Sequence, residues 1–270
     1  MNLIQTINEE YSSIEESTKE TLHIDNRNVS NIISAYKRFL DNLSHSRETF
    51  ISEKEAHEIG MFSVPYEKMQ YTPEDITSFS LELEQFQSEK FFLWTGMFLT
   101  ELVLAHHRFN QSQEKYVLLL NQLGKKIHYV GNNLGHWDSG VKQPFSNLLV
   151  HGDVGDYFCQ DMKQGNVTLI GSAGDNVGRY AKAKSITVQG NVGNGLGSCS
   201  KGIHILVEGN AGNSIGGMMN GGSITVTGET GFGKGEFIEE GIISVDNGKY
   251  IIKKEKGKDA ERTLKYDWMK

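Results

Sequence analysis

A chain of 270 residues, with 37% hydrophobic and 23% charged residues, is long enough for one large or two modest folded domains and too apolar to remain disordered. Its formal net charge of −7 argues against a general nucleic-acid or anionic-membrane binder, because both need a surplus of Lys and Arg. Met1 to Ser12 holds no basic region followed by an apolar run, and Cys159 and Cys199 are the only cysteines, so a reduced cytoplasmic protein without a secretory signal is expected.

Residues 1–124 read as helices. Ile4, Ile7, Tyr11 and Ile14 recur at helical spacing, and Val29, Ile32, Ile33, Tyr36, Phe39, Leu40 and Leu43 form a broad apolar stripe. Thr72-Pro73-Glu74-Asp75 has the chemistry of a helix start. Thr72 can cap, Pro73 fits the first turn, and the acids suit the positive helix end. Ile76, Phe79, Leu83 and Phe86 continue that helix. Phe91 to Phe109 and Ser112 to Leu123 predict two more, with Gly124 as a C-terminal cap. The apolar run from Phe91 to Ala105 contains Glu101 and is too short to span a bilayer. About five helices make an α-helical bundle the expectation for this segment.

Glycine then changes the architecture. Of 30 glycines, only Gly60 and Gly96 precede Gly124. Gly152, Gly171, Gly190, Gly209 and Gly228 stand at every 19th position, and Gly155, Gly174, Gly193, Gly212 and Gly231 repeat the interval. Gly178, Gly197, Gly216 and Gly235 form a third column. Two apolar columns share the period. One runs Leu148, Val167, Ile186, Ile205, Ile224 and Ile243; the other runs Val150, Leu169, Val188, Val207, Val226 and Val245. Within each repeat the two apolar residues have one position between them, which is strand alternation, so both face the same side. A repeat this short has no room for a crossover with its own helix, so each is expected to make one turn of a coil and pair with the next. The glycines are expected at corners that need φ > 0. Ile127, Tyr129 and Gly131 precede Leu148, Val150 and Gly152 by two positions more than the regular interval and suggest a degenerate first rung. The fold class expected is therefore α+β by segments. An α-helical domain over 1–124 precedes a right-handed parallel β-helix of about six to seven rungs over 125–252, and 253–270 is a charged C-terminal tail.

The unit G-x-x-G-x-x-x-G after a strand resembles the GXGXG repeat family. Gly171-Ser-Ala-Gly174-Asp-Asn-Val-Gly178 and Gly209-Asn-Ala-Gly212-Asn-Ser-Ile-Gly216 carry the likeness, with Met218-Met219-Asn220-Gly221-Gly222 and Ser223-Ile224-Thr225-Val226 closing the repeat. The resemblance covers roughly 127–250. It is to the C-terminal domain of the glutamate synthase large subunit and to the corresponding subunit of formylmethanofuran dehydrogenase. It implies a right-handed β-helix that serves as a scaffold between catalytic parts. Residues 1–124 resemble no family, and the chain has neither an N-terminal nucleophilic cysteine nor an iron–sulfur cysteine cluster. Glutamate synthase activity is therefore not expected.

Few residues suggest chemistry of their own. Gly193-Asn-Gly195-Leu-Gly197 looks like a nucleotide loop, but a strand repeat follows where the phosphate would need a helix N-terminus. Asp156, Asp175, Asn194 and Asn213 form a polar column. Oxygen ligands of that kind suit a hard cation, yet turn chemistry and stacked amides explain all four. His106 and His107 close an apolar helix that also carries Glu101; His128, His136, Trp137 and Asp138 follow at the entry to the coil. No HExxH spacing is present, and adjacent histidines point about 100° apart on a helix. Cys159 and Cys199 lie two rungs apart in different columns, too far for a disulfide. No metal or cofactor is expected. The preferred reading is a non-catalytic scaffold with a protein partner or a homo-oligomeric state. The alternative is an enzyme or an accessory subunit of an oxidoreductase or amidotransferase-type complex, with a site at the junction of the halves around His106, His107, His136, Trp137 and Asp138.

Overall fold

The computed structural model describes residues 26–45, 70–86, 89–110, 115–120, 126–132, 134, 147–182 and 184–264. The helix expected over Ile4 to Ile14 lies outside the described residues. Within them, helices α1 (Arg27–His45), α2 (Pro73–Glu82) and α3 (Glu89–Asn110) precede strands β1 (Lys115–Leu119) through β9 (Glu261–Leu264). Among the described residues no helix is long and apolar enough to cross a membrane.

The first two helices start where the sequence provides a cap. The Asn26 Oδ1 accepts from the backbone N–H of Asn28 at 3.0 Å, satisfying a donor that the first turn of α1 leaves open. In α2 the Thr72 hydroxyl accepts from the Asp75 N–H and the Asp75 carboxylate accepts from the Thr72 N–H, a reciprocal capping box. The apolar stripe of α1 then meets the other two helices through aromatic rings. The Tyr36 ring lies 5.5 Å from that of Phe79 in α2 and 5.0 Å from that of Phe98 in α3. Burial pushes the Tyr36 phenol up, and its hydrogen bond with Thr95 partly offsets this.

The second part is a parallel-rich β-solenoid of about five regular turns. Strands β2 (Asn147–His151), β3 (Asn166–Ile170), β4 (Ser185–Val188), β5 (Lys201–Val207), β6 (Asn220–Val226) and β7 (Glu240–Val245) pair in parallel in chain order. Asn147, Asn166, Ser185, His204, Ser223 and Ile242 stand opposite one another in succession, so the strand register follows the interval of the sequence repeat. Both apolar columns point inward, and every member is buried. β8 (Tyr250–Lys254) and β9 pair antiparallel and carry the sheet through Leu264, so the charged segment from Lys253 is strand over part of its length.

The first turn differs from both sequence expectations. The segment read as a helix from Ser112 contains β1, which pairs in parallel with β2 and places Tyr116 opposite Leu148 and Leu118 opposite Val150. Strand β1 is buried on both faces. Tyr116 and Leu118 join the main core, whereas Val117 and Leu119 pack with Leu81 of α2 and Leu149 of β2. A strand covered on both sides loses its polar alternation, and a short apolar run then looks like buried helix. Ile127 does not lead a rung; it bridges to Val154, one face further round the coil.

Helix α2 lies along the outer edge of β1. The Thr77 hydroxyl donates to the Val117 carbonyl at 2.8 Å, and the Ser80 hydroxyl accepts from the Leu119 N–H at 2.9 Å. An open sheet edge invites pairing with another chain. Here two helix side chains occupy the edge groups, and the first turn is closed.

The glycines serve more than corners. Gly178, Gly197, Gly216 and Gly235 have φ of 63°, 62°, 63° and 61°, as a left-handed corner requires. Gly190 and Gly209 do not. A Cβ at Gly190 would sit 2.5 Å from the Gly171 carbonyl oxygen, and one at Gly209 would sit 2.6 Å from that of Gly190. At these two positions the residue is glycine because successive backbones touch.

Candidate functional site

Two polar features stand out, a ladder along the solenoid and a cleft at the junction. The ladder is built by the column Asp156, Asp175, Asn194 and Asn213. Each side chain Oδ1 accepts from the backbone N–H of a residue one turn on, at 2.8, 2.7, 2.8 and 2.8 Å, the last donor being Phe232. The column therefore satisfies backbone donors, as turn chemistry predicts. His128 continues it downward: its Nδ1 accepts from the Asp156 N–H at 2.9 Å. A second ladder escapes the sequence reading. Asp153, Ser172, Asn191 and Asn210 accept from the backbone N–H groups of Ser172, Asn191, Asn210 and Glu229. Its signal is present, since these residues share the interval of the other columns.

The cleft has a volume of about 590 Å³ and is lined by Tyr71, Thr72, Pro73, Glu74, His106, Asn110 and Lys115. The N-terminus of α2, the last turn of α3 and the first residue of β1 converge on it. His106 is set by its neighbours: its Nδ1 lies 3.0 Å from the Tyr116 hydroxyl, and its ring lies 5.7 Å from that of Tyr71. The Tyr71 hydroxyl in turn donates to the Leu102 carbonyl at 3.0 Å. Glu74 and Lys115 bring opposite charges, so the cleft offers a carboxylate, an ammonium and an imidazole to a small polar ligand.

His107 does not join His106 there. It is fully buried and is not part of the cleft lining, as the turn of an α-helix between adjacent residues requires. His136, Trp137 and Asp138 lie outside the described residues. Among the described residues no three His, Cys, Asp or Glu side chains are grouped to hold a metal. Cys159 is buried, and burial raises its thiol pKa well above the ordinary value; it occupies the corner column that glycine fills in later turns, with φ 55°.

The contacts that tie the helices to each other and to the solenoid are not legible in the sequence. Asp75 is buried, and its carboxylate accepts from the Asn26 and Asn28 side-chain amides at 2.7 and 2.9 Å in addition to capping α2. It ties the start of α1 to the start of α2. Trp94 of α3 stacks on Tyr129, which stacks on Tyr157 of the solenoid, with centroid separations of 5.6 and 4.8 Å. The Thr100 hydroxyl of α3 accepts from the Gly131 N–H at 2.9 Å. No protein-family model, curated protein or solved structure matches the chain.

Proposed function

We propose that the chain is a non-catalytic scaffold or protein-interaction module, a stiff solenoid closed at its N-terminal end by helices. The observation that carries this reading is the filling of the junction. Phe98 and Leu102 of α3 and Tyr116 and Leu118 of β1 are fully buried in one continuous apolar core. Close-packed side chains of that kind fix the helices to the coil and occupy the space in which an interior site would lie. The GXGXG resemblance, with the right-handed coil and the scaffold role it implies, is in keeping with this reading. So is a site for a protein partner on the outer surface of the solenoid.

The cleft beside His106 favours a second reading, an accessory subunit or enzyme with a binding site at the junction. Thermal unfolding of the whole chain separates the two. Zinc, magnesium, phosphate, sulfate and acetate are added in turn to the wild type and to a His106→Ala, Lys115→Ala double variant. The scaffold reading expects no ligand-dependent stabilisation, or the same in both proteins. Stabilisation of the wild type that the double variant loses would put the second reading first.

A further inference from the structure

We propose that two copies of this chain associate face to face and antiparallel along one corner of the solenoid. The inference rests on the interaction-module reading and names its partner. Tyr180, Cys199, Met218 and Phe237 occupy one position in four successive turns. Their N–H groups bond in register, Tyr180 to the Ser198 carbonyl, Cys199 to that of Gly217 and Met218 to that of Glu236. Three of the four are exposed, Tyr180 at 40%, Met218 at 54% and Phe237 at 85%, and Cys199 is half-buried; in the preceding turn the same position is Asp161.

The backbone of this column is left-handed, as it is at the corner residues Tyr157, Asn176 and Ser214. Its φ values are 58°, 57°, 53° and 53°, in the left-handed region that side chains with a Cβ disfavour. Two positions earlier the same left-handed conformation is filled by Gly178, Gly197, Gly216 and Gly235. Large apolar side chains therefore stand where glycine would fold more easily and where water surrounds them.

The flanking columns identify the occupant. On one side the residues are Arg179, Ser198, Gly217 and Glu236; on the other they are Lys182, Lys201, Asn220 and Glu239. Both columns run from basic to acidic along the coil axis. A partner with the same surface, turned end over end, is complementary at both ends of each column. A two-fold axis in the interface and perpendicular to the coil preserves each column and reverses the order of turns. It sets Arg179 against Glu236 of the second copy, Lys182 against its Glu239, Tyr180 against its Phe237 and Cys199 against its Met218. Such an isologous contact closes on itself and stops at two chains. A parallel arrangement would place like charges together and is disfavoured.

Sedimentation equilibrium of the full chain at micromolar concentration tests the proposal. The wild type is expected at twice the chain mass. Arg179→Glu and Glu236→Arg, made separately, each oppose like charges twice across the axis and are expected to weaken association at least about tenfold. The combined Arg179→Glu, Glu236→Arg variant restores opposite charges and is expected to return to the dimer. That rescue distinguishes a direct contact from simple loss of folding. A wild-type monomer, a larger assembly, or a dimer indifferent to the single reversals would overturn the proposal. None of these masses bears on the ligand screen, so the scaffold reading stands or falls separately.

Discussion

The solenoid from β2 to β7 and the junction that precedes it are held together in opposite ways. In the solenoid one solution is repeated. Each turn presents the same inward pair, the same backbone contacts at glycine and the same side-chain acceptors for the next turn's N–H groups. At the junction every contact occurs once: the Thr77 and Ser80 bonds to β1, the Thr100 bond to Gly131, and the Trp94–Tyr129–Tyr157 stack. Repetition spreads stability over many equivalent groups. A junction built of single contacts concentrates it, so individual substitutions there act on the joining of the two parts.

Ile205→Asp is expected to have the largest effect, because it places an unpaired carboxylate in the middle of the inward column. A loss above about 4 kcal/mol is expected, enough to unfold the chain or abolish soluble expression. Urea unfolding that matched the wild type would mean the column does not face inward.

Asp75→Ala comes next. It leaves the Asn26 and Asn28 amides and the Thr72 N–H without their shared acceptor at a buried position. About 2–3 kcal/mol should be lost, read as a lower urea midpoint. If the helical part is less firmly held than the solenoid, the helical signal should fall before the sheet signal in this variant, whereas in Ile205→Asp the two should fall together.

Asn194→Ala should cost least, about 1 kcal/mol, since it removes an exposed acceptor from one step of a ladder whose other steps remain. A loss as large as that of Asp75→Ala would show that the ladder acts as a cooperative unit and would weaken the contrast drawn between the two regions.

The same contrast governs what can be read from the sequence. The inward columns and the role of Asp156, Asp175, Asn194 and Asn213 are legible because an environment that recurs leaves a period. Strand β1 is not. Val117 and Leu119 are apolar because α2 covers them, and nothing local to Lys115–Leu119 reports that distant cover. The capping box at Thr72 is legible as a local pattern, but the second function of Asp75 depends on Asn26 and Asn28, far away in the chain. His106 stands out as a candidate by its place near a helix end. Its cleft needs β1 to bring Tyr116 and Lys115 beside it.

Helix α2 closes the open edge of the first turn, and amide hydrogen exchange at Leu119 reports on that closure. The Leu119 N–H donates to the Ser80 hydroxyl. In the wild type its protection should approach that of Val207 in the middle of the solenoid. In a Thr77→Val, Ser80→Ala double variant it should fall by at least about tenfold while Val207 is unchanged, which corresponds to a local loss of about 1.4 kcal/mol. Unaltered protection of Leu119 in that variant, or an amide already exchanging freely in the wild type, would mean that α2 does not close the edge.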